Sequence, residues 1–205
     1  MPAARHKVDG RRARTADTRE KIRAAAWELF TTVGYEATTT QAIAKRAGVA
    51  AGTIFVHASD KRDLLPLVMH DRLATEAEHR MATVPDGPLL DRFMYVFDGL
   101  FRVYGEHPGV AAAFVSSLPG AVGPNAQRMT TMTFGFVVRL SLLVVEAQRA
   151  GEVSDDVEPL ACARNVFGLY FMALMTWLAG HATLDVALDP VLRDALALQI
   201  RGFRP

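Results

Sequence analysis

Apolar side chains recur every three to four positions along most of this chain, and no stretch alternates apolar with polar as a half-buried strand does. A chain so patterned buries its apolar atoms by packing helix on helix. With 205 residues, half of them hydrophobic, it has material for a substantial core. Ile22, Ala25, Ala26, Leu29, Phe30 and Val33 mark a first helix from Asp17, and Gly34 ends it. Thr38 to Thr40 offer caps to a short helix through Ile43, Ala44 and Ala47. Gly48 breaks that helix, and a second short one runs from Ala50 to about Val56. Ser59 and Asp60 cap an amphipathic helix over 60–81, stopped by Pro85-Asp86-Gly87-Pro88. Further helices are expected over 88–106, 108–117, 125–150, 158–181 and 189–203. The expectation is an all-α protein, with an N-terminal three-helix helix-turn-helix domain on a larger C-terminal helical bundle.

The net charge of +1 conceals a polarised molecule. Residues 1–62 hold 12 basic and 6 acidic side chains, whereas residues 63–205 hold 11 and 16. The basic quarter calls for a polyanion, with nucleic acid the first candidate and a membrane surface its rival. Cys162 is the one cysteine, so no internal disulfide forms and a reducing cytoplasm is expected. Met1 to Ala16 lacks the apolar run of a secretory signal. The apolar run Val166 to Ala179 falls short of the roughly 18 residues of a membrane span, which favours a buried helix and no membrane. Residues 1–16 carry Arg5, Lys7, Arg11, Arg12 and Arg14 with few apolar partners and are expected to be a flexible basic arm. The domains are then 1–16, a helix-turn-helix domain over 17–62, and a ligand-binding and dimerisation bundle over 63–205.

Thr39 to Phe55 has the anatomy of a helix-turn-helix. Ile43, Ala47, Val49 and Ile54 can be buried together, Ala44 is small enough for a close helix crossing, and Gly48 permits a left-handed turn. The small residues Ala50, Ala51, Gly52 and Thr53 open the second helix, so it can sit deep in a DNA major groove. The sequence over about 18–65 resembles the TetR family of bacterial transcriptional regulators. The resemblance rests on Gly34-Tyr35-Glu36-Ala37-Thr38-Thr39, Ile43-Ala44, Ala47-Gly48-Val49, Gly52-Thr53-Ile54-Phe55, His57 and Lys61-Arg62-Asp63-Leu64-Leu65. It implies a homodimer on double-stranded operator DNA, most often a repressor, that a small molecule bound in the C-terminal bundle releases. It also implies phosphate contacts from Thr38, His57 and Lys61, with Ala50, Ala51, Gly52 and Thr53 facing bases; Thr39, Phe55 and Val56 complete the expected DNA-binding set.

Four positions depart from the family pattern. Phe55 stands where Tyr is usual, Ala50 for Ser, Ala58 for Phe and Thr40 for an apolar residue. A reading face so poor in polar groups is expected to select DNA by shape, thymine methyl contacts and Thr53. Lys45 and Arg46 either approach the DNA backbone or form a solvated basic pair.

The C-terminal half concentrates Phe, Tyr and Met, first of all a core stripe such as Phe93, Phe97, Phe101 and Tyr104. Bundles also hold ligands between helices, and Phe97, Phe101, Phe114, Met132, Phe136 and Met172 are the candidate lining of a pocket for an apolar effector. Arg139 and Asn165 are polar residues in apolar runs; each either meets the ligand or faces solvent or a partner. The last two helices, with Leu169, Ala173, Leu192, Leu196 and Ile200, are implied by the resemblance as the dimer interface.

No His-Glu-x-x-His pair, Gly-rich phosphate loop or paired carboxylates on an apolar face is present, and His70 and His79 are too far apart to share a metal. No enzyme, cofactor or metal site is expected. Two alternatives stand beside a ligand-responsive regulator. One is a DNA-binding regulator controlled by a protein partner; the other is a basic protein docked on a membrane surface.

Overall fold

The computed structural model describes residues 3–203, with side-chain surroundings from residue 13 onward. The described residues form helices and turns, without strand. They comprise α1 (Ala3–Thr32), α2 (Thr40–Ala47), α3 (Ala51–His57), α4 (Leu64–Ala82), α5 (Leu89–Glu106), α6 (Pro108–Ser117), α7 (Pro124–Arg149), α8 (Pro159–Leu178), the single turn α9 (Leu184–Val186) and α10 (Arg193–Arg201). Ala187–Leu192 bends between the last two.

Local chemistry sets most of these boundaries. Thr39 is the N-cap of α2, its hydroxyl oxygen accepting from Ala42 N at 3.1 Å. Gly48, at φ 67°, ends that helix; Gly48 N donates to Lys45 O at 3.2 Å and Val49 N to Ala44 O at 3.0 Å, the paired bonds of a Schellman ending. Glu158 caps α8 through Leu160 N and Ala161 N. The cap of α5 comes from far along the chain, Leu89 N donating to Glu152 Oε1 at 2.9 Å.

Three expected boundaries are corrected. α1 does not begin at Asp17 but runs back through the expected arm to Ala3. Ala, Arg and Lys dominate 3–14, and a helix already nucleated in the core extends through such residues readily. Residues 1 and 2, and the side chains of Arg5, Lys7, Arg11 and Arg12, lie outside what is described. The connecting helix starts at Leu64, because Asp60 Oδ1 accepts from Asp63 N at 2.9 Å and holds 61–63 in a turn. The last helix is not continuous over 189–203: Asp189, preceding Pro190, is extended at φ −142°, ψ 116°, which the proline ring enforces by disfavouring helical backbone before it.

One core runs from the head into the body. Ile22, Ala26 and Phe30 of α1 pack with Ile43, Ala44 and Ile54, and the same cluster continues into Leu64, Leu65 and Val68 of α4. Across the junction the Arg72 guanidinium lies 3.7 Å from the Trp27 ring centroid, and His107 meets that indole edge-on at 5.0 Å. α7 and α8 each contain a window apolar enough for a membrane span, at mean hydropathy 1.5 and 1.2, so α8 as formed is longer than its uninterrupted apolar run suggests. Each nevertheless sends one face into the shared core, through Val144 of α7 and Val166 of α8 among others.

Candidate nucleic-acid interface and apolar pocket

The head packs Ile43, Ala44 and Ile54 inward against α1 and leaves the opposite side of α3 open. Ala50, Ala51 and Gly52 are exposed, Phe55 is 57% exposed and Val56 73%. Two large apolar side chains in water on a helix of seven residues is a costly surface unless something covers it. Thr53 is half-buried between these and Ile54. Ala50 supplies no side-chain cap to α3, the consequence of Ala standing where an oxygen-bearing residue is preferred.

Lys61 is half-buried on the flank of this face. Its Nζ donates to Glu36 O at 3.0 Å and lies 4.3 Å from the Tyr35 ring centroid, so the ammonium is held at the loop joining α1 to α2. Arg46 forms a salt bridge to Glu28 of α1 at 2.8 Å, which makes it a brace within the head; Lys45 is exposed.

Two expected phosphate contacts are corrected. Thr38 is buried, and its hydroxyl donates to Gly34 O at 2.7 Å, satisfying a carbonyl freed at the end of α1. Thr39, one residue on, is exposed and faces outward. His57 is buried at the junction of α3 with α7. Burial, and next the neighbouring Arg19 charge, hold its imidazole below the ordinary 6.5, so it is neutral at pH 7. The sign follows from linkage: the unfolded chain takes up this proton at a higher pH than the folded one does. Stability contributed by neutral His57 is therefore complete above pH 6.5 and falls as the pH drops below it. Urea unfolding at pH 7.5 and 5.5 is expected to show that loss, reduced in His57→Gln; an equal loss in both proteins contradicts the assignment.

Beneath this junction is a buried cluster that sequence reasoning missed. Asp63, 2% exposed, accepts from Ser59 N at 3.1 Å and Ala126 N at 2.9 Å, and Asn125, 3% exposed, donates from Nδ2 to Asp63 Oδ2 at 3.1 Å. Asp63 sits inside a quoted motif, yet partners 62 residues away leave no mark in local spacing.

A partly open apolar cavity of about 130 Å³ lies in the body. Leu73 and Ala77 of α4, Leu100 and Tyr104 of α5, Phe114 of α6, Met129, Met132, Thr133 and Phe136 of α7, and Phe167, Tyr170 and Phe171 of α8 line it, together with Leu118. Of the expected lining, Phe114, Met132 and Phe136 are there. Phe97 and Phe101 lie one layer behind, Phe97 stacked on Tyr170 at 4.6 Å and Phe101 edge-on to it at 5.7 Å. Met172 is corrected: two residues after Tyr170 on a helix, it points away from the cavity and is exposed. Asn165 is exposed and Arg139 half-buried, both outside the lining. The cavity's polar groups are Thr133 and the neighbouring hydroxyls of Tyr104 and Tyr170, which burial pushes up in pKa, so both remain protonated. Cys162 is buried, its thiol pushed up to about 12 by burial and then by the Glu158 charge, and it behaves as a small apolar residue. A larger cleft of about 1080 Å³, open to solvent, separates the end of α1 from α6.

Leu169 is half-buried, while Ala173, Leu192, Leu196 and Ile200 are buried within the chain's own core. The large apolar residues of the body that face outward include Phe134, Val138 and Leu142 along α7, Met172 and Met175 on α8, and Leu198 on α10, besides Val122, Val186 and Val191 in or beside its turns.

Residues 22–68 match the family model described as bacterial regulatory proteins, tetR family. The chain is 22% identical over 181 residues to the fatty acid metabolism regulator protein of Bacillus subtilis, covering 87% of this chain and 92% of that one. It is 26% identical over 183 residues to the HTH-type transcriptional repressor BepR of Brucella suis, covering 85% and 87%. Among solved structures, the transcriptional regulator FadR from Bacillus subtilis in complex with stearoyl-CoA superposes with a TM-score of 0.69 at 20% identity, over 90% of this chain and 99% of that one.

Proposed function

We propose that this chain, whose residues 22–68 match the tetR family model, is a TetR-like regulator: a homodimeric cytoplasmic repressor, released from a palindromic operator by an apolar small molecule. The observation that carries the reading is the exposed, uncharged face of α3, an apolar and small-residue surface on a basic head. Such a face fits the floor of a major groove, where Phe55 and Val56 meet thymine methyl groups while Thr39 and Lys61 meet phosphates at the rim. Lys61→Ala is expected to weaken binding on every duplex alike and to lower the slope of log affinity against log salt by about one. A change confined to one sequence contradicts a phosphate role for Lys61.

The apolar cavity supports the effector's class. Its volume of about 130 Å³ is close to the roughly 150 Å³ of an engineered apolar cavity that takes up benzene, so it accepts a group of about six carbons as it stands. Its walls select for hydrocarbon. Tyr104 and Tyr170 both keep their hydroxyl protons, so the pair can donate to an acceptor oxygen on the ligand. An acyl thioester meets both demands, and the Bacillus FadR to which the fold is similar was solved with stearoyl-CoA. Here the small cavity favours a short acyl chain. The test is displacement: from the duplex that the protein enriches out of genomic fragments, octanoyl-CoA is expected to release it and coenzyme A alone is not. Equal effects of the two ligands overturn the effector reading and leave DNA binding intact.

Two heads must meet half-sites about 34 Å apart, which requires a fixed pairing of two copies. The outward apolar stripe Phe134, Val138 and Leu142, spaced four residues apart on α7, supplies that surface, with the exposed Met172 on the adjoining helix α8 and Leu198 of α10. Val138→Arg is expected to turn the dimer into a monomer in sedimentation equilibrium while α-helical content persists. A dimer of unchanged affinity places the interface elsewhere.

A further inference from the structure

The amino terminus of α7 is capped from outside. Its own N-cap residue is Gly123, which has no side chain, and the first amides of the helix turn instead to Asp63: Asn125 N at 3.1 Å and Ala126 N at 2.9 Å, both to Oδ1. The second oxygen of that carboxylate accepts from Ser59 N at 3.1 Å, two residues beyond the end of α3. Asn125 closes the ring, donating from Nδ2 to Asp63 Oδ2 at 3.1 Å and to His57 O, the last carbonyl of α3, at 2.8 Å. Gly123 is fitted to this contact: at φ 124°, a Cβ there falls 2.5 Å from Asp63 Cγ. One carboxylate and one amide thus tie the end of the DNA-facing helix to the start of α7.

The same α7 carries Met129, Met132, Thr133 and Phe136 into the apolar cavity. At 1.5 Å per residue, Met129 lies about 6 Å along the helix from Asn125 and Phe136 about 16 Å, too short a span for a packed helix to absorb a displacement by bending. A ligand bulkier than the cavity must move one wall. On α4 even the nearest lining residue, Leu73, is about 15 Å along the helix from Asp63, against about 6 Å from Asn125 for Met129 on α7.

We propose that Asp63 and Asn125 are positioning residues that couple the cavity to the DNA-facing helix, with α7 as the moving part. This rests on the reading of the cavity as an effector pocket. What fills the cavity shifts α7, and the Asn125 amide carries the shift to His57 O and so to α3. Coupling of this kind requires a contact that differs between the two arrangements, and the bonds of Asn125 are that contact.

The experiment is amide hydrogen exchange across residues 51–59 of the full chain, which needs no operator. The cavity is filled in two ways, by octanoyl-CoA and by the substitution Thr133→Phe. In an otherwise unaltered protein, Thr133→Phe is expected to change exchange in 51–59 about tenfold, and in an Asn125→Ala background by less than about twofold. Equal changes in both backgrounds, or no change in the first, overturn the proposal. Asn125→Leu, which keeps the volume of the side chain and removes its Nδ2 donor, makes the same cut should Asn125→Ala unfold, and Thr133→Leu is the milder wedge. If octanoyl-CoA leaves exchange over 129–136 untouched, the effector reading fails, while the Thr133→Phe comparison still decides the coupling.

Discussion

Ala51→Glu is expected to abolish sequence-specific DNA binding, by on the order of 100-fold or more at 0.15 M salt, without lowering thermal stability. Ala51 is the first residue of α3 and is exposed, so its substitution disturbs no packing. A carboxylate in the first turn of a helix is mildly favourable to that helix, because it faces the positive end of the backbone dipoles. The same carboxylate faces outward from the surface proposed to enter the groove, where phosphates on both sides repel it and no base edge repays its lost hydration. Folding and binding therefore separate: the melting temperature holds within about 2 °C while the complex disappears in a fluorescence-polarisation titration. A variant that binds as well as the parent places the DNA-facing surface elsewhere in the head.

Phe97→Ala carries the largest expected cost in stability. Phe97 is fully buried, 6.3 Å from the Phe93 ring and stacked on Tyr170 at 4.6 Å, and it forms the layer directly behind the cavity. Truncating a buried Phe costs about 3–5 kcal/mol, which for a chain of this size lowers the melting temperature by roughly 6–20 °C. The void it leaves adjoins the existing cavity, so the variant is expected to regain part of its stability in benzene, by mass action on the folded state. A loss below about 1 kcal/mol in urea unfolding contradicts the packing described. A normal loss without benzene rescue shows that the new void does not open into the cavity.

What the sequence disclosed and what it concealed divide along contact distance. The bounds of α2 and α3 were legible to within a residue because their caps are local: Thr39 bonds Ala42, and Gly48 turns the chain itself. The all-helical fold followed from apolar spacing alone. The extension of α1 to Ala3 was missed because propensity without an apolar stripe looks like a solvated tail. Thr38 reads in sequence like a second cap, and only the approach of the α1 carboxyl end shows its hydroxyl turned inward. In the body, Met172 and Phe136 are equivalent in composition, and which one meets the cavity depends on helix phase against neighbours far along the chain. Tyr104 and Tyr170 were visible as part of an aromatic-rich half, but their pairing across 66 residues was not. Asp63 shows the same limit most sharply, since its chemistry lies in amides 62 and 63 positions away.

Selection of genomic fragments by the purified protein at moderate salt, followed by footprinting of the enriched duplex, tests whether the head reads DNA sequence. The expected result is one enriched palindrome, protected over two half-sites about 34 Å apart and centred in successive major grooves. Protection spread evenly over all fragments, and lost together on adding salt, contradicts a sequence-reading head and leaves only electrostatic docking.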